Sequence, residues 1–215
     1  MSESTTKSDD RPLRESVRDT IRARIFEGHY VPGTRLVERD LADEFNVSRL
    51  PIREALRMLR QEGLVSEKPN SRGIVVSSLS PEEVADVFDV RQALEVLACE
   101  LASARATPED LAYLGGLLDQ ADLGLEQGSI LEAQNANNEF HDAITSIAAN
   151  DFLRAALEPL QGRMHWLFRH ASDLPELIQE HRRLFEAIAT GDPKHAALVS
   201  YEHIQKYRKQ YYQTH

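Results

Sequence analysis

The segment Ser48-Arg49-Leu50-Pro51-Ile52-Arg53-Glu54-Ala55-Leu56-Arg57 holds the most chemistry-bearing pattern in the sequence. Arg49, Arg53 and Arg57 recur every fourth residue, so on a helix they form one stripe, and Arg60 falls within the same arc. Ile52, Ala55, Leu56 and Leu59 occupy the neighbouring face. A helix with an apolar base and an arginine edge suits insertion into the DNA major groove. Its N-terminal residues reach base edges there, and a guanidinium bonds guanine in bidentate fashion. Most arginine stripes are only solvated faces, so the neighbours decide. Arg39 opens the preceding helical segment, where it can touch phosphate or a base edge. Arg72-Gly73 closes a turn-rich stretch placed like a wing that meets the minor groove or the backbone.

Three helices and a hairpin must position these groups. Leu13, Val17, Ile21 and Ile25 are spaced by four, which marks a helical stripe ending near Gly28, and Pro32-Gly33 reads as a turn. A second helix covers about Glu38 to Phe45, with Leu41, Ala42 and Phe45 as its buried side. Asn46-Val47 is a short break, Ser48 stands at the N-cap of the next helix, and Pro51 falls in its first turn. That helix stops at Gly63. Leu64-Val65 and Ile74-Val75-Val76 are β-prone runs separated by Lys68-Pro69-Asn70-Ser71-Arg72-Gly73, a hairpin signature. The outline is a winged helix-turn-helix over residues 11–79, preceded by a polar tail, residues 1–10, expected to be disordered.

Past Ser80 every segment reads as helix. Ser80-Pro81-Glu82-Glu83 and Thr107-Pro108-Glu109-Asp110 repeat one grammar of cap, proline and acidic first turn. Helices are expected at about 81–105, 108–126, 129–148, 151–170, 173–190 and 193–212, giving a mostly α protein. Its second domain, residues 80–215, is an antiparallel six-helix bundle with short connections.

Charge divides along the same boundary. Residues 1–79 carry 14 Lys and Arg against 13 Asp and Glu, whereas the remainder carries 11 against 22. Such asymmetry points to two domains with different partners, and a near-neutral head still binds phosphate if its cations share a face. No stretch approaches the roughly 18 uninterrupted apolar residues of a membrane helix. The polar N-terminus lacks a secretory core, so a cytoplasmic protein without a membrane partner is expected. Cys99, the single cysteine, excludes an intrachain disulfide and reads as a small buried apolar residue.

The residues of the head carry a family resemblance. Gly28, Pro32-Gly33, Leu36, Leu41-Ala42, Phe45, Val47-Ser48-Arg49, Pro51, Arg53-Glu54-Ala55-Leu56, Leu59, Glu62-Gly63-Leu64-Val65 and Gly73 resemble the head domain of the GntR regulators over about residues 13–77. The resemblance implies a homodimer on a palindromic double-stranded DNA operator. It makes Arg39, Ser48, Arg49 and Arg53 helix contacts, with Asn70, Ser71, Arg72 and Gly73 as the wing. Arg57 and Arg60, deeper along the helix, are expected to meet phosphate or solvent.

The helical half is similar to the FCD effector domain of the FadR branch of that family. The likeness rests on Val90-Arg91-Gln92-Ala93-Leu94-Glu95, Asn137-Asn138-Glu139-Phe140-His141, Glu180-His181 through Gly191-Asp192, and His203. Six helices look like the VanR-type subgroup. Many such domains hold a divalent metal with one aspartate and three histidines. The resemblance therefore implies that His141, His181 and His203 bind zinc or nickel together with Asn137. The amide stands where aspartate is usual, which removes a charge and lowers affinity. Without metal, the three histidines would hold an organic anion. Arg91 lies on the helix that lines the cavity in related domains and could clamp a small carboxylate effector; otherwise it forms an intrahelical ion pair with Glu95.

These readings converge on a ligand-responsive regulator, more readily a repressor, and not an enzyme. One alternative is a constitutive DNA binder whose helical half only dimerises. Another is a metal-dependent enzyme, against which stands the absence of any HExxH pattern or dedicated general base beside the histidines.

Overall fold

The apolar stripe at four-residue spacing builds α1 (Leu13–Phe26), which buries Val17, Ile21 and Ile25. The computed structural model describes residues 12–67, 73–168 and 173–214. The expected tail and the wing-tip residues Asn70, Ser71 and Arg72 lie outside the described residues. A two-residue strand, β1 (Arg35–Leu36), leads into α2 (Glu38–Glu44), α3 (Arg49–Gln61), β2 (Val65–Glu67) and β3 (Ile74–Val76). Asn46, at φ 53°, supplies the left-handed residue of the short α2–α3 turn, a conformation that asparagine tolerates better than bulkier residues. Gly63, at φ 74°, ends α3 in the same way.

The sheet is larger than the expected hairpin. Its order is β1-β3-β2, fully antiparallel, with Arg35 and Leu36 opposite Val75 and Ile74. Leu36, Val65 and Val76 enter one core with α1, α2 and α3, so β1 fastens the wing to the helices. Ser48 does occupy the N-cap of α3, but its side chain makes no capping hydrogen bond.

The first unit ends at Ser78 and the second begins at Leu79. The second consists of α4 (Pro81–Arg105), α5 (Pro108–Glu126), α6 (Ile130–Ile147), α7 (Asp151–Phe168), α8 (Leu174–Ala189) and α9 (Pro193–Thr214). Ser80 with Glu83, and Thr107 with Asp110, form capping boxes with proline in the first turn, satisfying backbone donors that a helix start leaves unpaired. Asp173 caps α8 through the Glu176 N–H at 2.9 Å. α4 is the central helix, in contact with α6, α7, α8 and α9.

The α5–α6 hairpin is packed backbone to backbone at one point. A Cβ on Gly124 would lie 2.7 Å from the Ala133 backbone nitrogen and 3.1 Å from its Cα. Neither can swing aside as a side chain would. Gly124→Ala is therefore expected to destabilise the protein by about 1–3 kcal/mol despite alanine's better helix propensity. Denaturant unfolding checks this; an unchanged or raised midpoint would contradict it.

Candidate nucleic-acid interface and buried polar centre

In α3 the four residues Ile52, Ala55, Leu56 and Leu59 are fully buried, which turns Arg49, Leu50, Arg53 and Arg57 outward. Arg39 at the start of α2 is 69% exposed. The first turn of α3 contains no acid, and Arg49 has no hydrogen bond or ion pair among the described residues. Arg53 is otherwise engaged. Its guanidinium donates from Nη2 to Glu38 Oε2 at 3.0 Å and from Nε to Oε1 at 3.1 Å. That hydrogen bonding holds the Glu38 carboxyl below the usual range. Arg57 pairs with Glu54 at 3.4 Å and Arg60 pairs with Glu67. Exposed pairs of this kind contribute at most about 1 kcal/mol, so phosphates or base edges can replace them. Gly73 closes the wing beside Arg35: an added Cβ would stand 2.8 Å from its Nε.

The second unit carries a different pattern, in which polar residues sit where the helical period calls for apolar ones. On α4 the buried stripe runs Val84, Val87, Phe88, Arg91, Glu95, Ala98, Cys99 and Ala102. On α6 it includes Ala133, Ala136, Asn137, Phe140 and Ile144, on α8 it includes Leu177, Ile178, His181 and Leu184, and on α9 His203 stands next to Ile204 in the core. Burying such groups costs several kcal/mol unless they are satisfied, so their concentration in one region marks a site.

Packing brings the three histidines together. His141 Nε2 and His181 Nε2 are 3.0 Å apart, and His181 Nε2 and His203 Nε2 are 3.3 Å apart. His181 and His203 are 0% and 3% exposed. Their pKa values are driven well below 6.5, first by burial and then by a neighbouring histidine, so both imidazoles are neutral near pH 7. An imidazole nitrogen offers either one N–H or one lone pair in its plane. His181 Nε2 can therefore form a full hydrogen bond to only one of its two neighbours. A single cation would satisfy all three lone pairs. The buried Nδ1 atoms of His181 and His203 and the Oδ1 of Asn137, one turn before His141, have no hydrogen-bond partner among the described residues. Three imidazoles whose ligand atoms all lie within 4.8 Å of one another suit borderline ions such as zinc and nickel.

Arg91 takes the position of an intrahelical ion pair. It donates from Nε to Glu95 Oε1 at 2.7 Å, with the two side chains 2% and 10% exposed, and its Cζ lies 5.8 Å from the Tyr207 ring centroid. The other Glu95 oxygen is 3.9 Å from His141 Nδ1, on the side of that ring away from the histidine cluster. Glu95 thus joins Arg91 to the histidines, and Glu38 aims Arg53. The sequence reading gave neither glutamate a place in a site. For Glu95 the signal was available, because a glutamate occupies the apolar stripe of α4.

The chain has relatives along most of its length. Residues 13–76 match the family described as bacterial regulatory proteins, gntR family, and residues 86–206 match the FCD domain. The HTH-type transcriptional regulator YdhC of Bacillus subtilis is 32% identical over 76% of this chain and 75% of its own. The HTH-type transcriptional repressor RspR of Escherichia coli is 27% identical over 96% and 92%. The solved structure of Escherichia coli McbR/YncC superposes with a TM-score of 0.78 at 27% identity, covering 95% of this chain and 99% of that one. These relatives are regulators of transcription rather than enzymes. With an arginine-edged α3 in its head and a helical unit after it in the sequence, the chain belongs to the GntR family of transcription regulators and carries an FCD domain.

Proposed function

We propose that the protein is a ligand-responsive repressor that binds a palindromic operator as a homodimer and changes its DNA affinity when a small carboxylate enters the helical unit. The observation that carries the ligand-responsive part is the meeting of three histidine Nε2 atoms within 3.3 Å steps in the core of that unit. Asn137, His141, His181 and His203 would hold a divalent ion, and that ion would supply a positive charge to attract the carboxylate. Arg91 contributes a guanidinium whose present partner is Glu95. An entering carboxylate competes with Glu95 for it, offering two acceptor oxygens where Glu95 takes the Nε hydrogen bond. Because α4 touches four other helices, breaking the pair gives the effector a differential grip on two arrangements of the unit, as coupling requires.

The test begins with thermal unfolding after chelation, with and without zinc or nickel. An ion that binds only the folded state stabilises by about 2.7 kcal/mol at a hundredfold excess over its dissociation constant. A raised midpoint that His181→Ala abolishes is the expected result. Duplexes enriched from a random pool are then bound with and without succinate, gluconate or glutamate. No metal shift, together with a DNA affinity indifferent to all three acids, would reduce the helical unit to a dimerisation element.

A further inference from the structure

On α3 the core direction is set by Ile52, Ala55, Leu56 and Leu59, all 0% exposed. At 3.6 residues per turn, Leu50 points to within about 10° of the opposite direction. It is 65% exposed, more than any other large apolar residue of the described head. Arg49, Arg53 and Arg57 are exposed as well and lie to one side of it, about 100°, 60° and 20° away around the helix axis. A single exposed leucine is ordinary on a protein surface. This one occupies the first turn of the helix that a helix-turn-helix presents to the major groove, and that turn carries no acid.

Resting on the DNA-binding reading above, we infer that Leu50 is a specificity-determining residue that packs against the C5-methyl group of a thymine in the major groove. The argument is one of chemical matching. Among the four bases only thymine projects an apolar group into that groove; the other base edges are hydrogen-bond donors and acceptors. A leucine side chain has no polar atom for those edges and would desolvate them without replacement. Against a methyl it buries apolar surface from both sides. The arginines to one side of it supply phosphate and guanine contacts that hold the helix in register, and Leu50 adds discrimination between T·A and the other pairs at one position.

The test uses the full-length protein and duplexes it enriches from a random pool. The enriched duplex is resynthesised with deoxyuridine in place of each thymine in turn, which removes the methyl and keeps the base pairing. One thymine per half-site is expected to respond, with wild-type affinity falling about fourfold for each methyl lost. Leu50→Ala alters both heads of the dimer, so it should bind the unmodified duplex as weakly as the wild type binds a duplex with deoxyuridine at the responding thymine of both half-sites, and that double replacement should leave the variant's affinity unchanged. Leu50 makes no core contact, so unfolding midpoints of the two proteins should coincide. If every deoxyuridine position affects both proteins equally, or none affects either, the inference is overturned while DNA binding stands. If no duplex is enriched, the DNA-binding reading falls and takes the inference with it.

Discussion

Arg91→Met is expected to lower the unfolding free energy by about 3–5 kcal/mol, because it leaves the Glu95 carboxylate buried without its cation. The side chains of the pair are 2% and 10% exposed, so water offers little compensation. For a protein of this size the shift corresponds to a melting point lower by roughly 10–15 °C. The double variant Arg91→Met with Glu95→Leu should recover most of the loss, since apolar residues of similar volume often replace a buried ion pair at little cost. The pair of variants also separates two roles of Arg91. If the guanidinium only neutralises Glu95, the double variant keeps its response to carboxylates. If it binds the effector, the double variant folds and binds DNA but no longer responds. A single variant as stable as the wild type would show that the ion pair contributes nothing to the core.

The second large effect is on DNA binding. Arg49→Ala and Arg53→Ala should each weaken binding to an enriched duplex by about 1–3 kcal/mol per half-site, and about twice that with both heads of a dimer engaged. The loss should be concentrated at particular base pairs. Arg57→Ala, by contrast, should weaken binding nearly uniformly across sequences and flatten the salt dependence by about one unit of slope. Glu38→Gln makes a complementary case. It loosens the hydrogen bonds that aim Arg53, so general affinity for duplex should rise while discrimination between sequences falls. Titrations at several salt concentrations, on enriched and scrambled duplexes, measure all four variants together. An Arg49→Ala protein with wild-type affinity and sequence preference would remove α3 from the interface.

The two sites were legible in the sequence to different degrees. The interface helix was visible because its information is local. Four-residue spacing separates Ile52, Leu56 and Leu59 from Arg49, Arg53 and Arg57, and Gly63 stops the helix. The wing was legible only in part. A two-residue strand has no periodicity of its own, so β1 emerged only from the pairing of Arg35 and Leu36 with Val75 and Ile74, about forty residues away. In the helical unit, caps and prolines fixed the starts of α4 and α5, and the positions of the histidines suggested a centre only through the family resemblance.

What the sequence determined alone was which segments are helices, which face of each is apolar, and which polar residues interrupt those faces. These follow from capping, propensity and a period of 3.6 residues, all properties of neighbours in the chain. The tertiary structure decided which interruptions meet. His141, His181 and His203 come from three helices, 40 and 22 residues apart. Glu95 reaches Arg91 within its own helix but reaches His141 only through the packing of α4 against α6. Helix period sets the direction of a side chain around its own axis. The height and rotation at which two helices pack depend on the fit of many side chains at once, and that fit placed the three imidazole nitrogens side by side.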